Sequence, residues 1–150
     1  MTIRLETARR TGIVNMQGGE LHPTEIGRYA QLAKKYPDAT PRRADASTAY
    51  NCHGLTFASR RTRVVEPNSV RVILADDGWQ EVDIADTYAG DIVVYYGDEG
   101  DANHSGIVVG KELNVPMICS KWGHGGEFIH SLNYCPDIYG PQTKFYRCRL

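Results

Sequence analysis

The stretch AGDIVVYYGDEGDANHSGIVVG, Ala89 to Gly110, sets two β-branched and aromatic runs, Asp91–Tyr96 and Ser105–Val109, on either side of an acidic, glycine-bearing loop. Short runs of this composition bounded by Gly and Asp are strand signals. Working outward toward the C-terminus, further strands are expected at Val115–Ser120, Glu127–His130 and Lys144–Arg149, with Gly110, Gly123, Gly125, Gly126 and Gly140 as punctuation. Toward the N-terminus the signals turn helical. Thr24 can cap a helix through about Tyr36, with Ile26, Tyr29, Ala30, Leu32 and Ala33 as apolar positions and Pro37 as the stop. A second helix opens near Asn51 or Cys52 and runs to about Thr62, and Ser69 caps a third, Val70–Ala75. Between the first two, Asp38–Ala46 holds Pro41 and two arginines and reads as an exposed loop. Helices first and an antiparallel sheet after them is an α+β pattern.

The chain has 150 residues, which fits one domain able to bury a core without disulfides. Apolar residues are 41% and charged residues 23%, ordinary for a globular protein. A net charge of -1 gives no reason to expect nucleic acid or an anionic membrane as partner. No stretch is apolar enough for a bilayer span. Met1–Arg10 carries three arginines and no apolar core, so it does not read as a secretory signal. The expectation is a protein made in the cytoplasm that could still leave by a route reading no cleavable signal.

Chemistry is sought first at Tyr50-Asn51-Cys52-His53-Gly54-Leu55. A cysteine at the opening of a helix meets unpaired N–H groups and partial positive charge, which favour thiolate over thiol. The same N–H groups can hold an oxyanion, and Gly54 would let a substrate come close. The other cysteines, Cys119, Cys135 and Cys148, match no zinc spacing and read as buried apolar residues, although a Cys135–Cys148 bridge is conceivable. The second anchor is His104, at the start of the run His104-Ser105-Gly106-Ile107-Val108-Val109-Gly110. From a strand end a histidine can point at a helix terminus and serve as general base.

Taken in order, NCHGL, GDIVVY and HSGIVVG resemble the NlpC-type cysteine peptidases of the papain-like superfamily, relatives of the CHAP amidases. The resemblance covers roughly Tyr50 to His130, and the first 46 residues are an extension that it does not match. It implies a papain-like α+β fold, a Cys52 nucleophile, a His104 base, and a substrate amide in the peptides of peptidoglycan. Relatives also include acyltransferases and toxin domains, so a toxin acting on a host protein is the alternative. A non-catalytic binding module on the same fold is a rival of another class. No cofactor is expected. With no signal read, the expectation is either a bacterial effector delivered to a rival's periplasm, with an immunity protein as its partner, or a phage-borne lytic function.

The family orients its base from the next strand, and here that strand lacks the usual residue types at its middle. Alternation along Met117–Trp122 puts Ile118, Ser120 and Trp122 on one face, so Ser120 is the expected orienter, with His124 and His130 as alternatives. Asn51, His53, Gly54 and Trp122 are the expected substrate-binding residues, Trp122 as the rim of a cleft. Tyr95, Tyr96, Tyr134, Tyr139 and Tyr146 read as packing, and Arg42, Arg43, Arg60, Arg61 and Arg63 as solvated clusters. The five histidines make no H-E-x-x-H or H-x-H spacing, so no metal is expected.

Overall fold

The computed structural model describes residues 1–149. It is an α+β fold: three helices, α1 (Pro23–Lys34), α2 (Cys52–Ala58) and α3 (Ser69–Asp76), and seven strands. The strands are β1 (Thr40–Arg43), β2 (Trp79–Val82), β3 (Ile92–Tyr96), β4 (Ala102–Glu112), β5 (Val115–Lys121), β6 (Glu127–Ser131) and β7 (Gln142–Cys148). They form one open sheet in the order β1-β6-β5-β4-β3-β7-β2. Every pairing is antiparallel.

Alternation along the central strands sends apolar side chains to both faces. One face gathers Val93, Tyr95, Val108, Ile118, Trp122, Phe128 and Phe145, covered by Ala33, Tyr36 and Tyr139. The other gathers Ile107, Cys119 and Ile129 under Tyr50 and Leu55. Because both faces are covered, β3 is buried on all but its last residue, and it reads as a continuous apolar run.

Two strands were not expected. β1 lies within the stretch read as an exposed loop; all four of its residues are exposed, and it pairs only with β6 at the sheet edge. β2, Trp-Gln-Glu-Val, pairs only with β7 at the opposite edge. Edge strands this short carry little pattern of their own. Helix α1 is capped by His22, whose Nδ1 accepts from Thr24 N–H, rather than by Thr24. Helix α2 stops at Ala58, because Ser59 turns left-handed at φ 51°. All four cysteines are free, Cys135 and Cys148 included.

The N-terminal segment packs on the helices that carry the site. Ile13 joins Val64 and Ile73 in a buried cluster. Thr7 and Thr11 both donate to Asp76 Oδ2 at 2.7 Å, and Thr62 donates to Asn15 Oδ1 at 2.8 Å. Beneath the approach to α2, fully buried Lys121 donates to the carbonyls of Ser47, Gly123 and Gly125, each at 2.8 Å. All three ammonium protons are thereby used, which a buried lysine requires. Burial still pushes its pKa down to about 8. Next to it, buried Glu127 takes a two-point contact from Arg60, at 2.6 and 3.1 Å, and a hydrogen bond from the Tyr50 hydroxyl. Burial alone would raise the Glu127 pKa, but these donors hold it below the ordinary carboxylate range.

Candidate active site

Asn51 builds the opening of α2. Its Oδ1 accepts from Gly54 N–H at 2.8 Å and from Val64 N–H at 3.1 Å, while its Nδ2 donates to the Val64 carbonyl at 2.8 Å. One side chain thus caps the helix and clips it to the segment at Val64. Expected as a substrate contact, Asn51 is an anchor whose oxygen is already taken twice. Gly54 is likewise a packing position. A Cβ there would collide with the Thr62 carbonyl and lie 3.2 Å from Asn51 Oδ1, so the close approach is by backbone, not by substrate.

Cys52 is the first residue of α2 and is partly buried. Burial by itself would raise its pKa. The positive charge of His53 and of His104 outweighs that and brings it well below the ordinary thiol value. Among the described residues no hydrogen bond occupies the N–H of Cys52 or of His53. Cys52 opens on a depression of about 280 Å³ lined also by Asn51, His53, Val65, Asp101 and Asn103. A larger depression of about 490 Å³ adjoins it, sharing Pro67, Asp101 and Ala102 and bearing Arg71 and Lys144.

His104 is the third residue of β4 and faces Tyr95 across the ladder, next to the irregularity that displaces Asn103. Its ring is 1% exposed, and its Nε2 has no hydrogen-bond partner among the described residues. The ring is instead held by stacking. Tyr139, in a 3-10 turn at Asp137–Tyr139, lies on it with centroids 3.6 Å apart and 4° between planes, and Tyr95 sits 5.2 Å away. Sequence reasoning assigned Tyr139 to packing. No local pattern marks it, because its 3-10 turn lies more than thirty residues beyond the histidine it covers.

Ser120, the expected orienter of His104, is engaged elsewhere. It shares the buried face with Ile118 and Trp122 as alternation requires, and lies over Gly106, where an added Cβ would stand 3.1 Å from Ser120 Cβ. Its Oγ meets His130 Nε2 at 2.7 Å and accepts from Trp122 Nε1–H at 3.1 Å. The hydroxyl is therefore consumed by β6 rather than offered to His104. Trp122 is 1% exposed and packs between Tyr36 and Phe128, so it forms core and not the rim of a cleft. His124 lies by Tyr29 and Glu25 at α1, and burial lowers its pKa.

His53 is the residue that sequence reasoning undervalued. It is 7% exposed, with Nδ1 2.8 Å from Ser105 Oγ and Nε2 3.0 Å from the Ala102 carbonyl. Its neighbours Ser105 and Ala102 both come from β4, the strand that also carries His104, so one strand places both imidazoles around the thiol. Among the described residues no three His, Cys, Asp or Glu side chains gather as a metal-binding group. Among the described residues no helix is long and apolar enough to cross a membrane. Comparison with protein-family models, with curated proteins and with solved structures gave no significant match.

Proposed function

We propose that the protein is a papain-like cysteine hydrolase of NlpC type that cleaves an amide bond, with the peptides of peptidoglycan as substrate. The observation that carries this reading is the Cys52 thiol at a helix start, driven toward thiolate between His53 and His104. A merely structural cysteine has no use for two histidines, whereas a nucleophile gains from both.

In the first half-reaction the thiolate attacks the carbonyl carbon and an S–C bond forms. The C–N bond breaks as protonated His104 gives its proton to the leaving amine. In the second, His104 takes a proton from water while the water oxygen adds to the thioester, and the S–C bond breaks to return the thiolate. Cys52 N–H, free of other bonds, is the candidate donor to the tetrahedral oxyanion. The adjoining depressions give an extended substrate room on one side of Cys52, with Arg71, Lys144 and Asp101 able to meet charged groups along a peptide.

The test is incubation with purified peptidoglycan and mass analysis of the released fragments, against Cys52→Ala. Release by the wild type alone supports the reading. No release, together with iodoacetamide labelling of Cys52 no faster than of exposed Cys148, would overturn it. An effector of this kind needs an immunity protein in its producer, so capture of a partner that blocks labelling of Cys52 is a second expected result.

A further inference from the structure

We infer that His53 is a fixed imidazolium, a permanent positive charge beside the Cys52 thiolate that never gives up its proton during turnover. The inference rests on the proposed cysteine chemistry for its use, but on hydrogen-bond direction for its content.

The protons can be counted along one chain. Thr56 Oγ1 donates to the Cys52 carbonyl at 3.0 Å. Ser105 Oγ donates to Thr56 Oγ1 at 2.9 Å. Each hydroxyl has one hydrogen, so Ser105 has none left for His53 and can only accept from Nδ1–H at 2.8 Å. At the other side of the ring the partner is the Ala102 carbonyl, which also can only accept, from Nε2–H at 3.0 Å. An imidazole donating from both nitrogens carries both protons and is charged. Burial disfavours that charge, but the Cys52 charge and the Ala102 carbonyl raise the His53 pKa above its ordinary value.

The groups around the ring agree with a cation there. From its own helix it faces Cys52, from β4 it faces Ser105 and the Ala102 carbonyl, and Phe57 lies 6.4 Å away. Asp101 lines the same depression. No cationic side chain shares that depression among the described residues.

The two histidines then divide the work. His104 has no such pair of hydrogen bonds among the described residues, and in the proposed mechanism it is the ring that carries the proton between amine and water. His53, with both N–H groups committed, cannot do so without losing one of these hydrogen bonds and setting a bare nitrogen against an acceptor, and it steadies the sulfur as charge appears and disappears on it. No bond to His53 forms or breaks in either half-reaction.

The test needs no substrate. In protein labelled with nitrogen-15 in its histidines, both ring nitrogens of His53 should carry protons at neutral pH, and the ring should lose one only well above the pH at which an ordinary histidine does. Thr56→Val deletes the Ser105 acceptor and frees the Ser105 hydrogen to turn onto Nδ1, so the His53 titration should move to lower pH. In His53→Gln, the pH midpoint for iodoacetamide labelling of Cys52 should rise by about one unit or more, since an opposite charge beside the thiolate is lost. A neutral His53 in the wild type at neutral pH, or a titration unmoved by Thr56→Val, overturns the inference. Neither readout requires turnover. A protein that cleaves no peptide can still carry a charged His53, and an active hydrolase with a neutral His53 defeats this inference alone.

Discussion

Two serine–histidine contacts lie in this sheet, His53 on Ser105 at 2.8 Å and His130 on Ser120 at 2.7 Å, and they are nearly the same in length. They differ in where the protons go. Ser120 accepts from the Trp122 indole, so its own hydrogen is free to point at His130 Nε2, while His130 Nδ1–H donates to the Ser131 carbonyl at 2.8 Å. That ring is satisfied as a neutral imidazole, and burial takes its pKa down to about 4. Ser105 spends its hydrogen on Thr56 and must accept from His53. A Ser–His distance therefore carries no charge by itself; the next partner along the chain sets it. One pair places a charged ring at a thiol, and the other closes a neutral core.

The largest expected effect separates the two regions by chemistry. Cys52→Ala and His104→Ala should each lower amide hydrolysis by about 10⁴-fold or more, because nucleophile and base act as a unit. His130→Gln, in the neutral region, should leave turnover of the folded protein within a small factor of wild type. Release of peptidoglycan fragments, normalised to folded protein by circular dichroism, checks all three. Full activity in folded His104→Ala would remove His104 from the mechanism.

Acid should find the neutral pair next. His130 has a folded-state pKa of about 4 against 6.5 unfolded. Below 6.5 the unfolded chain binds the extra proton, so stability falls as pH drops through the window from 6.5 to 4. A shift of that size corresponds to about 3 kcal/mol. Urea unfolding at both ends of the window measures it, and His130→Gln should flatten the difference. An equal loss in His130→Gln would place the acid sensitivity elsewhere.

Ser120→Ala sharpens the contrast. It strands His130 Nε2 and Trp122 Nε1 in the core, so it should cost about 1–3 kcal/mol of stability. The hydrolysis rate should barely change, because Ser120 Oγ is committed to β6 and to Trp122. A rate loss larger than the stability loss explains would return Ser120 to the His104 side.

Tyr139→Leu is the smallest effect. It removes the ring stacked on His104 while keeping apolar cover, and a stacked pair contributes about 0.5–1.5 kcal/mol. The rate should fall about two- to tenfold with little change in the pH dependence of Cys52 labelling. A shift in that labelling curve would mean that Tyr139 acts on the thiol and not on the base.

Much of the frame was legible in the chain. Asn51 before Cys52 is a cap signal, and α2 opens where that signal lies. The run at Ile92–Tyr96 announces itself because it is wholly β-branched and aromatic, and those at Val115–Lys121 and Glu127–Ser131 because short apolar stretches there are bounded by glycines and turns. The alternation that grouped Ile118, Ser120 and Trp122 on one face is also the observed one, since the pleat has a period of two whatever surrounds it.

Tertiary structure decided what alternation cannot, which is who occupies the other side of each face. Ser120 had the right face for His104, yet β6 brought His130 to it first. Trp122 lies in a glycine-rich segment that resembles a rim, but α1 folds over it and Tyr36 meets its ring edge-on at 5.1 Å. Gly54 is dictated by the Thr62 carbonyl, from a segment that returns after α2 has ended. The charge of His53 depends on two hydroxyls from two elements pointing one way, and the seat of His104 on a tyrosine 35 positions later in the sequence. Local sequence fixes periodicity and caps through forces acting over a few residues. Hydrogen-bond direction and side-chain occupancy are set by groups far apart in the chain that meet only when the sheet has closed around them.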